Sequence, residues 1–145
     1  MEFRLIDKNH QMWEEMIDYA RKCSWKTADR LAELMEEDTF ADWERLLVAV
    51  EGNQILGFCT LTRKDTYPEL PYSPFIGFVY VTENARGHRL SEQMIEEGSR
   101  YLKRWGFEKV YIVTDHEGLY EKFGFDKCDR LERPNEVETV FSRDL

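Results

Sequence analysis

One stretch constrains the fold more than any other: the strand, helix and strand between residues 75 and 114. Phe75 to Val81 is nearly uninterrupted apolar sequence, the pattern of a strand buried on both faces. Leu90, Met94, Ile95, Tyr101, Leu102 and Trp105 then recur on one stripe of a helix, which Gly106 is placed to end. Lys109 to Thr114 reads as a strand again. A strand–helix–strand unit requires a right-handed crossover and a parallel pair, so the chain must build a mixed α/β sheet.

The remaining elements fall around this unit. Residues 3–6 read as a first strand, and Met12, Met16, Ile17, Tyr19 and Ala20 mark an amphipathic helix over roughly residues 10–22. A second helix is expected from Thr27, placed as its N-cap, to Glu37, with Leu31, Leu34 and Met35 turned inward. Arg45–Val50 and Gln54–Thr62 flank Glu51-Gly52-Asn53, a hairpin signal. Pro68, Pro71 and Pro74 predict a long, semi-rigid loop, because proline cannot donate to a sheet ladder. A short helix near Gly118–Phe123 and strands near Asp126–Leu131 and Glu138–Phe141 close the chain.

At 145 residues the chain has a single-domain length and can bury a core without staples. Its 29 acidic and 20 basic side chains give a net charge of −9, which disfavours a nucleic-acid role and suits a cationic substrate. Cys23, Cys59 and Cys128 lie far apart with no C-x-x-C pair, so neither a metal site nor a disulfide framework is expected. The first residues lack the apolar run of a signal peptide, and no run approaches a membrane span. A cytoplasmic protein follows as the expectation.

The segment Val81-Thr82-Glu83-Asn84-Ala85-Arg86-Gly87-His88-Arg89-Leu90-Ser91 joins the buried strand to the N-terminus of the amphipathic helix. A helix N-terminus carries unpaired N–H donors and partial positive charge, and favours acidic neighbours. Arg86, His88 and Arg89 crowd it instead, an arrangement that a bound polyanion would stabilise. Neither G-x-G-x-x-G nor Gly-Lys-Ser/Thr occurs, so dinucleotide and Walker loops do not apply.

Arg86-Gly87-His88-Arg89-Leu90-Ser91 resembles the coenzyme A diphosphate loop of the GNAT superfamily of N-acetyltransferases. In the family pattern, Arg/Gln-x-x-Gly-x-Gly/Ala, Arg86 matches the first position, Arg89 replaces the first glycine and Ser91 the second small residue. Gly118-Leu119-Tyr120-Glu121-Lys122-Phe123-Gly124-Phe125 is similar to the family's last motif, about 30 residues further on with one helix and one strand between. The order of elements along the whole chain also resembles the family's.

The resemblance implies an α/β (α+β) fold: a mixed, mostly antiparallel sheet of six to seven strands flanked by four helices, its parallel fourth and fifth strands splayed. It implies acetyl-coenzyme A as co-substrate, with Arg86, Gly87, His88, Arg89, Leu90 and Ser91 around the diphosphate. Val79, Tyr80 and Val81 would hold the pantetheine arm and thioester oxygen through their backbone, with Thr114 at the end of the fifth strand. Tyr120 matches the tyrosine that protonates the coenzyme A sulfur. Glu83, His116 and a water relay remain open as the base. The acceptor side would involve the first two helices, the proline-rich loop and the last two strands; Glu36, Glu37, Asp38, Asp42 and Glu44, near Trp43, Tyr67 and Tyr72, would suit a cationic small-molecule or peptide amine through charge and cation–π contacts. A homodimer stays open, as do an acyl-coenzyme A binding module without turnover and an interaction domain without cofactor. Metal, nucleic acid and membrane are not expected.

Overall fold

The structure is a computed structural model that describes residues 1–116 and 118–145. Its elements are β1 (Glu2–Ile6), α1 (Trp13–Lys22), α2 (Ala28–Glu36), β2 (Arg45–Glu51), β3 (Gln54–Thr62), β4 (Phe75–Val81), α3 (Leu90–Arg104), β5 (Lys109–Thr114), β6 (Asp126–Arg133) and β7 (Glu136–Asp144). Short 3-10 turns cover Glu83–Ala85 and Tyr120–Phe123. All seven strands form one sheet in the order β1-β2-β3-β4-β5-β7-β6. Every pair is antiparallel except β4 and β5. Among the described residues, no helix is long and apolar enough to cross a membrane.

Helices cover both faces of the sheet, which explains why β2 is apolar at every position from Leu46 to Val50. Leu46, Val48 and Val50 face α1 and α2 together with Ile6, Phe58 and Tyr80. Leu47 and Ala49 face α3 together with Cys59, Leu61 and Ile76. The period of two along a strand sends alternate residues to the two cores. Close packing of α3 depends on Gly98, where an added Cβ would lie 2.9 Å from Leu61 Cδ2.

Four helices are expected from sequence, and among the described residues three α-helices form. The segment before Phe123 makes only a 3-10 turn, closed by Gly124 in the left-handed region at φ 87°. The first helix starts at Trp13 rather than near residue 10, because His10 closes a turn there: its Nδ1 accepts the Met12 N–H and its carbonyl accepts the Trp13 N–H. Thr27 precedes α2 but its side chain makes no capping bond. β7 begins two residues before the expected Glu138, since the β6–β7 hairpin extends through polar, exposed sequence to Asn135.

Candidate active site

β4 and β5 pair at one register position only, Phe75 with Tyr111, and then separate. A bulge in β4 accompanies the separation. Phe58 pairs with Tyr80 and Thr60 with Gly77, so Phe78 and Val79 together oppose Cys59, and Phe78 takes φ 46°. A bulge bends its strand and re-aims side chains. Past Phe75, the β4 edge that would bond β5 has no ladder partner, and buried backbone donors and acceptors of that kind need one.

The gap opens into a cleft of about 1020 Å³, the size range of ligand sites. Its walls include Gly77, Phe78, Val79, Tyr80 and Val81 of β4, Ile112, Val113 and Thr114 of β5, and Tyr120. At the α3 end they include Arg86, Gly87, Arg89, Leu90 and Ser91. The structure thus places nine of the ten expected cofactor residues around one cleft; the side chain of His88 is exposed and His88 is outside it.

The loop ahead of α3 is shaped by two left-handed residues, Gly87 at φ 87° and Arg89 at φ 61°. Arg89 occupies the α3 N-cap without a side-chain capping bond, so the helix's first amides have no side-chain partner there. Its guanidinium bonds Glu92 through Nε and Nη2 at 2.8 and 2.9 Å rather than reaching across the loop. Arg86 folds back along β4: its Nε donates to the Val81 carbonyl at 2.9 Å, and its guanidinium lies 5.5 Å from the Tyr80 ring centre. A diphosphate at these amides would find two neighbouring guanidinium groups and a helix dipole of matching sign. The residues present therefore fit the phosphate end of a coenzyme A.

Tyr120 is 6% exposed. Its ring packs against Phe123, Phe125 and Phe141 with centroids 6.1 to 6.2 Å apart. Burial, followed by the nearby Cys59 thiol, pushes its phenol up to about 12, so it stays protonated at neutral pH. Thr114 is buried, and its Oγ1 accepts the His116 backbone N–H at 3.0 Å.

The two named base candidates part company. Glu83 is absent from the cleft wall. Its carboxylate accepts hydrogen bonds from the Ser24 and Tyr80 hydroxyls, the latter at 3.0 Å, and the Ser24 bond leads the causes that hold it below the usual carboxylate range. Those bonds make it a poor base and a tie between the α1–α2 connection and the end of β4. His116 lines the cleft just beyond β5 and is exposed.

The acidic run at residues 36–44 is not at this cleft. Glu36 pairs with Arg21, Asp38 with Lys8 at 2.8 Å, and Asp42 with Arg63 at 2.9 Å, while Glu44 accepts the Ala41 and Arg63 backbone N–H groups. Trp43 packs on Trp105 and Phe107 instead. Tyr72 donates to Asp129 at 2.7 Å and stacks on Tyr111. The acids that do line the cleft are Asp65, Asp115, Glu136 and Glu138, with Tyr67 donating to Glu138 at 3.2 Å. Asp65 and Glu138 are both held above the usual carboxylate range, burial being the main cause in each. Sequence proximity could not reveal this group, because it assembles from the β3–β4 loop, the end of β5 and β7.

A mixed sheet split between a parallel pair, with a helix N-terminus at one end of the split, resembles the fold of solved acyltransferases of the GNAT type. Solved structures of that class agree over nearly the whole chain. The aminoglycoside 6'-N-acetyltransferase from Enterococcus faecium superposes with a TM-score of 0.76 at 14% identity, covering 99% of this chain and 97% of its own. A GNAT family N-acetyltransferase from Escherichia coli in complex with coenzyme A gives 0.72 at 22%, covering 99% and 80%. The ribosomal-protein-alanine N-acetyltransferase from Brucella melitensis gives 0.70 at 15%, covering both chains fully at 100%. No curated protein sequence matches the chain. The profile of the acetyltransferase (GNAT) family matches residues 9–125, and the chain belongs to that family.

Proposed function

We propose that this protein transfers an acetyl group from acetyl-coenzyme A to an amine, with Tyr120 donating its proton to the departing sulfur. One observation carries the reading: β4 and β5 separate after a single paired position, and the cleft so formed runs between the α3 N-terminus and Tyr120.

When bound, acetyl-coenzyme A supplies an activated thioester. The amides from Gly87 to Ser91, with Arg86 and Arg89, hold the diphosphate. The β4 backbone at Val79, Tyr80 and Val81, which has no ladder partner in β5, orients the pantetheine arm and steadies negative charge on the carbonyl oxygen, as oriented amides do. Thr114 closes the opposite wall. The hydroxyl of Tyr120 then meets charge developing on sulfur, where a hydrogen bond helps before transfer is complete.

The acceptor we propose is cationic. Asp65, Asp115, Glu136 and Glu138 line the cleft beside Tyr67 and Trp25. Carboxylates with aromatic faces suit an ammonium. Free thiols at Cys23, Cys59 and Cys128 agree with work in a reducing cytoplasm.

Coenzyme A thiol release, measured against a panel of polyamines, aminoglycosides, amino acids and peptides, tests the reading. Turnover with at least one cationic amine is expected; none with any amine would overturn it. A binding module without turnover is the second reading, favoured by Arg89 standing at the loop's glycine position and pairing with Glu92. Tight binding of acetyl-coenzyme A without thiol release would select it.

A further inference from the structure

The β4 bulge brings one carboxylate to the place where the two strands part. Asp65 follows β3, and its side chain lies over Gly77: a Cβ built there would sit 2.9 Å from Asp65 Oδ2 and 3.1 Å from Thr60 Oγ1. Only a residue without a side chain lets the carboxylate settle so close to the β4 backbone. Oδ1 is occupied, accepting the Thr66 N–H at 2.6 Å and the Thr66 hydroxyl at 3.1 Å. Oδ2 accepts no hydrogen bond from any described residue.

Asp65 also lies where two cavities meet. Asp65, Thr66 and Phe78 line both the main cleft and a second cavity of about 380 Å³. The rest of that cavity includes Leu34, Phe40, Thr60 and Thr62, with the charged groups of Arg30, Glu44 and Lys64. Asp65 therefore borders both spaces.

We infer that Asp65 is the catalytic base of the transfer, taking the acceptor's proton at Oδ2 beside the β4 bulge. This rests on the acetyl-transfer reading above. Asp65 accepts one proton from the acceptor's ammonium, freeing the nitrogen lone pair to form the C–N bond. As the C–S bond breaks, the electron pair leaves on sulfur, which takes a proton from Tyr120. The nitrogen sheds its second proton to water, which also carries away the proton on Asp65 and restores the proton of Tyr120. One proton is released per amide formed.

The surroundings suit that task. Glu138 and Glu136 of β7 and Asp115 after β5 share the cleft, and Tyr67 is engaged with Glu138. The nearby cations are committed elsewhere: Lys64 donates to the Leu70 and Tyr72 carbonyls, Arg133 pairs with Glu69, and Arg30 pairs with Glu33. Burial raises the basicity of Asp65. Burial taken alone disfavours the charged form of both partners, which raises the proton affinity of the carboxylate and lowers that of the amine, while the neighbouring carboxylates hold the ammonium in place.

The test compares two nucleophiles. An alkylamine from the panel arrives protonated at neutral pH, whereas hydroxylamine arrives with its lone pair free. Asp65→Asn keeps the Oδ1 contacts to Thr66 and removes the basic oxygen. Thiol release by this variant at pH 7 should fall about 100-fold with the alkylamine, within the range for one general base. With hydroxylamine it should fall less than threefold, and raising the pH should restore the alkylamine rate. Equal losses with both nucleophiles, or no loss with either, would overturn the assignment. Calorimetry with coenzyme A accompanies the rates: unchanged affinity shows that the variant keeps its cleft. If the wild type releases thiol with neither nucleophile, the acetyl-transfer reading itself fails and Asp65 falls with it.

Discussion

Replacing Tyr120 with phenylalanine isolates the chemistry from the fold. The ring is packed among Phe123, Phe125 and Phe141, and its hydroxyl accounts for no bond to a described residue, so phenylalanine fills the same space. Stability should change by less than ~0.5 kcal/mol. Activity should change far more. With the phenol at about 12 and a thiol near ~8.5, complete proton transfer to a free thiolate is uphill by about 5 kcal/mol. Tyr120 must therefore act while the C–S bond is breaking, as a hydrogen-bond donor to growing charge. Loss of one such donor costs roughly 10²–10³ in kcat. The assay is thiol release at saturating acetyl-coenzyme A, run beside a thermal melt. The phenol is protonated below its raised pKa, so Tyr120 should cause no fall in rate between about pH 8 and 10. A kcat within twofold of wild type, with an unchanged melt, would remove Tyr120 from the reaction.

Three further substitutions probe the scaffold. Gly57→Ala should place a Cβ 2.6 Å from the Tyr80 carbonyl and 3.3 Å from Met94 Sδ, forcing β3 from β4. A melt should show a loss of roughly 1–3 kcal/mol, and an unchanged melting temperature would contradict that packing. Arg86→Ala should weaken coenzyme A about tenfold, the loss of roughly one charge-assisted bond, while leaving S-acetylpantetheine nearly unaffected in calorimetry; equal losses would tie Arg86 to the β4 end alone. Asp65→Asn has a stability signature of its own, because burial raises the folded-state pKa of Asp65. The fold favours its protonated form, a stabilisation that is whole below the unfolded pKa near ~4 and lost as pH rises through the folded value. The variant should therefore melt above wild type at pH 7, and the gain should shrink toward pH 4; a lower melt at pH 7 would show that the charge is compensated.

The strands were legible where composition and punctuation agree. Gln54–Thr62, Phe75–Val81 and Lys109–Thr114 form as read, because β-branched and apolar runs end there at turns. Legibility fails where tertiary contacts or exposure decide. His10 turns the chain before α1, and the polar β6–β7 hairpin continues past any hydrophobic signal. The segments around Arg86–Ser91 and Tyr120 stood out because each is local, a few residues joining a strand to a helical turn. The acidic side of the cleft is nonlocal: Asp65, Glu136 and Glu138 converge only because β5 pairs with β7 rather than β6. Of the acidic residues at 36–44, Glu36, Asp38 and Asp42 pair with Arg21, Lys8 and Arg63 from distant parts of the chain, while Glu44 lines the second cavity rather than the main cleft. Asp65 itself gave no signal, for its position depends on the bare backbone of Gly77 and the bulge beside it.

The most direct measurement is a crystal structure of the complex with coenzyme A. The diphosphate should sit on the main-chain amides between Gly87 and Ser91, the pantetheine along Val79–Val81, and the sulfur within hydrogen-bonding reach of the Tyr120 hydroxyl. A cofactor bound outside the gap between β4 and β5, or a sulfur remote from Tyr120, would contradict the proposed chemistry.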